Sequence, residues 1–339
     1  MVFFQLFLML IVILIAAEVF TNALEHLGEK LGISEGVTGS IFAAVGTALP
    51  ETLVPLLAIF AYTGAGGGDA SSTAGHDIGV GAILGAPLML ATLSLSLMAI
   101  SVWKRRGTQG HLRPERTGLI RDLNFFILAF SFAAIAMVIP HTLAVVRYGI
   151  GALMVLIYFV YVLMTIKASK ALVEEGHATE AQGDMYLCKL GLPNNMVVII
   201  IQLVLGLALL ILGAKGFINE VEEAAAIIGI TALLLSLLII PIATELPEKV
   251  NSILWIRKGK DTLAFGNITG AMVFQGTLLP AIGIMLTAWE AKPEVVWGIL
   301  ITLLAAIWLR VVVERGGILV WHLLVNGLMY ITYLVIVLS

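Results

Sequence analysis

Ten apolar stretches, each at or above the roughly 20 residues a helix needs to cross a bilayer, occupy most of this 339-residue chain. They run over about 3–24, 34–62, 77–102, 121–140, 143–168, 194–217, 224–256, 262–288, 294–313 and 317–338. The chain is 60% hydrophobic and only 12% charged, where an average soluble domain carries about 25% charged residues. Too little polar surface remains to cover a water-soluble particle. The pattern predicts an all-α polytopic membrane protein with ten transmembrane helices, and excludes a soluble or disordered chain. The first stretch begins at Met1 without a basic leader region or a small-residue cleavage site, so it reads as a span. The lone Cys188 excludes a disulfide framework, a thiolate zinc site and a redox pair. A net charge of −3 gives no nucleic-acid footprint. No phosphate-binding glycine loop is present, so no nucleotide is expected. Neither a GxSxG nor an HExxH motif occurs, which argues against an intramembrane hydrolase, and no cofactor is implied.

Orientation follows the basic residues, because Lys and Arg collect in cytoplasmic loops. Lys104, Arg105, Arg106, Arg113, Arg116 and Arg121 surround the third connection. Lys167, Lys170 and Lys189 lie in the fifth, Arg257, Lys258 and Lys260 in the seventh, and Arg310 and Arg315 near the ninth. Ten alternating spans put all four on one side. Both termini then face the extracytoplasmic side of an inner or plasma membrane. The opposite side receives the small-residue loop Gly64–Gly75, which reads as flexible, together with Pro140–His141 and Glu290–Glu294.

The chain also repeats itself. At a shift of 197 residues, the distance from Glu51 to Glu248, Phe20 meets Phe217, Asn22 meets Asn219 and Glu25 meets Glu222. Thr47 meets Thr244, and Leu49-Pro50-Glu51 meets Leu246-Pro247-Glu248. Apolar bias would match aliphatic pairs; it would not match Asn, Thr, Pro and two Glu in register. Beyond the Gly-rich loop the match resumes at 185, with Gly81, Ile83, Gly85 and Ala86 on Gly266, Ile268, Gly270 and Ala271. The repeats divide the chain into a first five-helix half over 1–168, a cytoplasmic connection over 169–193 and a second half over 194–339. Their most similar segments are about 34–102 and 224–288. Five is odd, so the halves enter the membrane in opposite directions. Secondary transporters built this way hold their ion near the midplane on interrupted helices.

The chemistry concentrates at the paired Pro-Glu steps. A carboxylate deep in a span costs at least ~2.5 kcal/mol, so it is kept only where it faces a partner or a wet cavity. Pro50 and Pro247 lack the N–H that would bond the carbonyls of Gly46 and Ala243. Those carbonyls, the Thr47 and Thr244 hydroxyls, and the Glu51 and Glu248 carboxylates would form an anionic oxygen cage. Ca²⁺ takes 6–8 oxygens at about 2.3–2.6 Å, although other hard divalent cations accept carboxylate oxygen too. Glu245 adds a third acid with no counterpart, since Ala48 stands at its place in the first repeat. It either favours proton uptake or pairs with a basic residue elsewhere. In the eighth span Gln275 is placed to reach the cage, while Asn267 is either a ligand or a tie between helices. Gly79, Gly81, Gly85, Gly266 and Gly270 allow close helix contact. Asp77 and Asp261 read as caps at span entrances. Asn22, Glu25, Asn219 and Glu222 read as gate or interfacial groups, and Glu18 with Lys215 as a weak pair.

Phe42–Leu57 and Ile239–Leu254, followed by Asp77–Ala86 and Asp261–Ala271, resemble the two alpha repeats of the cation/calcium antiporter superfamily. The resemblance covers nearly the whole chain. It implies two inverted five-helix halves and exchange of Ca²⁺ for Na⁺ or H⁺ across a lipid bilayer. It also implies ion-binding acids at Glu51 and Glu248, completed by Thr47, Thr244 and backbone carbonyls. The first and sixth helices of such proteins slide across the core to switch access. The chain departs from the family pattern at Ala48, Glu245, Ala86, Leu90, Ala271 and Gln275. The loss of oxygen ligands there weighs against Na⁺ as the counter-ion. A cation channel of the same fold, and a relative that binds cations without coupled transport, are the alternatives.

Overall fold

The computed structural model describes residues 1–30, 49–63, 69–173 and 184–339. Gly46, Thr47 and Ala48, most of the second stretch's first half, Gly64–Gly68 and the middle of the central connection lie outside the described residues. The regular secondary structure of the described residues is helical apart from one two-stranded ribbon, β1 (His111–Leu112) against β2 (Ile318–Leu319). Its helices are α1 (Val2–Lys30), α2 (Leu49–Thr63), α3 (Asp69–Met89), α4 (Leu95–Arg106), α5 (Arg116–Val138), α6 (Ala144–Val173), the one-turn α7 (Tyr186–Lys189), α8 (Met196–Ile228), α9 (Ala232–Thr244), α10 (Leu246–Arg257), α11 (Asp261–Leu286), α12 (Pro293–Glu314) and α13 (Val320–Leu338). Among the described residues eight segments are long and apolar enough to cross a membrane, and Glu51–Phe60 and Ala232–Ile242 are shorter apolar helices. The protein is a multi-pass integral membrane protein.

Several element boundaries differ from the sequence expectation. The sixth stretch does not stop near residue 217: α8 continues to Ile228 and is closed by Gly229 at φ 80°, whose N–H bonds the Ala225 carbonyl. The seventh stretch therefore starts later and is cut in two at Glu245, between α9 and α10. The helix α3 already begins at Asp69, so the second half of the expected Gly-rich loop is helical. Alanine and small hydroxyl residues carry no apolar stripe, yet nothing in them forbids a helix. Asp77 then lies inside α3, where its carboxylate accepts from Lys292 Nζ at 2.6 Å rather than capping a helix end. Asp261 is likewise no cap: it takes both Arg106 guanidinium nitrogens at 2.8 Å and the Arg113 N–H at 2.8 Å. Glu18 accepts the Tyr186 hydroxyl at 2.9 Å, and Lys215 is exposed.

A π-helical segment over Leu90–Ser94 joins α3 to α4. Such a segment interrupts the normal ladder and leaves carbonyls to satisfy. The buried Asn326 of α13 supplies a donor, with Nδ2 at 2.8 Å from the Ala91 carbonyl.

The helices pack in two neighbourhoods. α1 lies along α8, with Ile13, Ala16 and Phe20 against Leu210, Ala214 and Phe217 in one apolar cluster. Gly206, Gly213 and Gly216 let the pair close up: a Cβ on Gly206 would lie 2.9 Å from that of Phe20. A larger cluster holds Ile83, Leu90, Phe126, Phe130, Phe265 and Met272 of α3, α5, α11 and the π segment. α3 is central, touching α2, α9, α11 and α12. Its contact with α9 depends on glycine, since a Cβ on Gly85 would sit 2.1 Å from the Leu237 carbonyl oxygen, and one on Gly81 would sit 2.5 Å from that of Leu233. By contrast, among the described residues no atom lies within 4 Å of a Cβ placed on Gly266. Val145, Leu163, Val204 and Leu212 are exposed on α6 and α8, as expected of a lipid-facing surface.

Candidate functional site

Pro247 marks the start of α10, where a proline is tolerated because the first-turn N–H groups have no helical acceptor. The same proline cannot bond the Ala243 carbonyl, so α9 ends at Thr244 and the chain turns at Glu245. Two half-helices therefore meet inside the protein, with the carbonyl end of α9 beside the N–H end of α10. Glu51 is the third described residue of α2, and Glu248 falls in the first turn of α10. A carboxylate there is favoured by the helix dipole.

Three acids converge at this break. One carboxylate oxygen from each of Glu51, Glu245 and Glu248 lies within 4.8 Å of the others, and all three residues are buried, at 4%, 0% and 4% exposure. Both oxygens of Glu51 and the Oε2 of Glu245 have no hydrogen-bond partner among the described residues. Carboxylates this close repel one another, and burial removes the water that would screen them. An arrangement of this kind calls for positive charge between the oxygens.

The surrounding groups are polar but neutral, with one exception. Gln275 of α11 is buried and donates its amide N–H to Glu245 Oε1, while its own Oε1 is free among the described residues. Thr244 is buried, with its hydroxyl donating to the Ile240 carbonyl at 3.2 Å, which leaves an oxygen lone pair available. Asn267 stands one step away: its Nδ2 donates to the Glu248 backbone carbonyl at 3.0 Å and to Ser252 Oγ at 3.0 Å. It ties α11 to α10 behind the acid. Ala243 is the penultimate residue of α9. Gly46 and Thr47 lie outside the described residues.

The exception is Lys249, which the sequence reading overlooked although it follows Glu248 directly. It is buried at 7% exposure, and its ammonium donates to the Pro241 carbonyl at 2.8 Å and to Met89 Sδ at 3.0 Å. The signal was available: a basic residue at membrane depth is as costly as an acid, and Lys249 stands four residues after Glu245, the spacing of helical ion pairs.

Comparison with known proteins converges on one group. The family model for sodium/calcium exchanger proteins matches residues 1–167 and 198–339. The inner membrane protein YrbG of Escherichia coli (strain K12) is 24% identical over 287 residues, covering 84% of this chain and 79% of that protein. The putative antiporter CaxA of Alkalimonas amylolytica is 40% identical over 84 residues, covering 25% of this chain and 26% of that protein. Among solved structures, an H⁺/Ca²⁺ exchanger, CAX, superposes with a TM-score of 0.73 at 18% identity, covering 98% of this chain and 82% of that one. The sodium-calcium exchanger NCX_Mj superposes with a TM-score of 0.58 at 18% identity, covering 99% of each chain.

Proposed function

Because the chain belongs to the sodium/calcium exchanger protein family, we propose that it is a secondary-active antiporter that moves Ca²⁺, or a similar divalent cation, against a monovalent counter-ion. The carrying observation is the buried trio Glu51, Glu245 and Glu248, whose carboxylate oxygens approach within 4.8 Å across the broken helix. The cation is bound between Glu51 and Glu248, with Glu245, the Gln275 and Thr244 side-chain oxygens, and the Ala243, Gly46 and Thr47 oxygens as further ligands. Asn267 holds the Glu248 backbone in position. Ten spans in two inverted halves, divided near 169–193, carry the site at the midplane, with both termini extracytoplasmic.

Exchange follows from charge. A divalent cation and a set of protons or Na⁺ compete for the same carboxylates, so one occupant leaves before the other enters. No cofactor or nucleotide takes part. Protons are the counter-ion that the residues favour. Leu90, Ala86 and Ala271 give no side-chain oxygen beside the acids to hold Na⁺, whereas a proton needs only the carboxylates.

Purified protein in liposomes tests this. An imposed pH gradient should drive Ca²⁺ uptake against a Ca²⁺ gradient, and a protonophore should abolish it. Glu51→Gln or Glu248→Gln should reduce uptake by about a hundredfold, the scale expected from removing a charged ligand worth roughly 3 kcal/mol. Uptake that ignores the pH gradient and follows Na⁺ would replace the counter-ion. Uptake only down the Ca²⁺ gradient would make the protein a channel, and wild-type activity in both variants would remove the site.

A further inference from the structure

The Lys249 ammonium is buried one helical turn after Glu245 and next in sequence to Glu248, beside residues that attract cations, and its placement there needs a reason. A plain structural role would be capping: the Pro241 carbonyl lies at the negative end of α9, and Lys249 donates to it at 2.8 Å. That role alone does not require a charge, nor one at this depth. The same Pro241 carbonyl also accepts the Glu245 N–H at 3.2 Å, and the Lys249 N–H bonds the Glu245 carbonyl at 3.1 Å, so the ammonium is held one helical turn from the Glu245 backbone and beside Glu248 in sequence.

The repeat gives a second, independent observation. Shifted by 197 residues, Glu245 falls on Ala48 and Lys249 falls on Thr52. The first half thus lacks both the extra acid and the extra base; the second half has both, one helical turn apart. Glu51 and Glu248, in contrast, are common to the two halves. One negative and one positive charge have been added together, at one place, to an otherwise symmetric pair of carboxylates.

We propose that Lys249 is a tethered counter-charge for Glu245, so that the three-carboxylate site offers its cargo two net negative charges rather than three. This rests on the antiporter reading above and deepens it: the site is matched in charge to a single divalent cation. The fixed ammonium also keeps the site from holding that cation too tightly to release it. Glu245 is thereby free to ligate without adding to the net charge, and its Gln275 contact orients it.

Calcium titration of the purified full-length protein, followed calorimetrically, tests the charge count in a double-variant cycle. Lys249→Met should bind Ca²⁺ at least about tenfold more tightly than wild type, since a unit of like charge has left the site. Glu245→Gln should bind at least about tenfold more weakly for the opposite reason. Glu245→Gln/Lys249→Met should return to within about threefold of wild type, because one negative and one positive charge leave the site together. Lys249→Arg should stay near wild type. Should Lys249→Met fail to fold, the double variant against Glu245→Gln alone answers the same question, with tighter binding by the double variant expected. Wild-type binding of Ca²⁺ with no tightening on loss of the Lys249 charge, in either background, overturns the counter-charge and leaves the antiporter reading intact. Absence of Ca²⁺ binding by wild type overturns both.

Discussion

Glu245 has two supports, and they differ in kind. Lys249 acts through charge; Gln275 acts through a directed N–H bond. A hydrogen bond to a charged group contributes about 1.5–3 kcal/mol, and leaving that group buried without it costs as much again. Gln275→Leu should therefore lower thermal stability even in the absence of divalent cations. Added Ca²⁺ should raise the unfolding temperature less in the variant than in wild type, because the cation has lost one of its ligands and binds more weakly. A scan of unfolding temperature against Ca²⁺ concentration checks this; equal shifts would place Gln275 outside the ion's reach. The two Pro-Glu steps and Glu245 were legible in the sequence because each breaks a local rule, a carboxylate where only apolar residues belong. Lys249 was equally anomalous but was absorbed into its motif. The direction of Asn267 was not legible at all. Its spacing fits both a ligand and a helix tie, and only packing places its amide on the Glu248 carbonyl.

At the scale of elements, the helix ends decide where the site and its frame lie. Glu115 caps α5, accepting the N–H groups of Thr117 and Gly118 at 2.6 Å each. Partial burial pushes its carboxyl up, but the two backbone donors, the Thr117 hydroxyl and the nearby Arg121 outweigh it and hold the group below the usual carboxylate range. The sign is that of a group depressed by folding. Its contribution is complete above the ordinary glutamate value of about 4.3 and fades as pH falls through the lowered one. Glu115→Ala should cost about 1 kcal/mol at neutral pH. The difference in unfolding temperature between wild type and variant should close in acid. The termination of α8 was less readable, because Asn219 and Glu220 look like a span end. The helix runs on past them to Gly229, which supplies the positive φ its closure needs. The π segment at Leu90–Ser94 left no mark in the sequence, since its residues are ordinary helix formers. Its support, Asn326, lies 235 residues from Ala91.

At the scale of the molecule, α1 and α8 form a unit of their own. They share a glycine-lined seam, and the segment before α8 fastens to both. Tyr186 N–H donates to Asn22 Oδ1 at 3.1 Å, Leu187 N–H donates to Gln202 Oε1 at 2.9 Å, and Gln202 Nε2 donates to the Val19 carbonyl at 3.0 Å. If this pair slides as one body during exchange, locking its members together should be harmless. A Cβ on Gly213 would lie 3.0 Å from Ile13 Cγ1, so Ile13→Cys with Gly213→Cys, in a background with Cys188 replaced, brings two thiols face to face. Oxidised and reduced protein should then transport Ca²⁺ at rates within about twofold, a difference of roughly 0.4 kcal/mol. Loss of transport restored by reductant would mean that the two helices move past each other instead.

The other side of the site is held differently. Arg106, at the end of α4, grips Asp261 with both nitrogens and also bonds the Ile256 carbonyl at 2.9 Å, while Arg105 bonds that of Arg257 at 2.7 Å. The last turn of α10 and the first of α11 are thus riveted to one neighbour at the membrane edge. If α1 and α8 travel during exchange, an ion passing Glu248 has one fixed bank and one that moves, and the fixed bank is the one that carries both the second-repeat acids and their lysine.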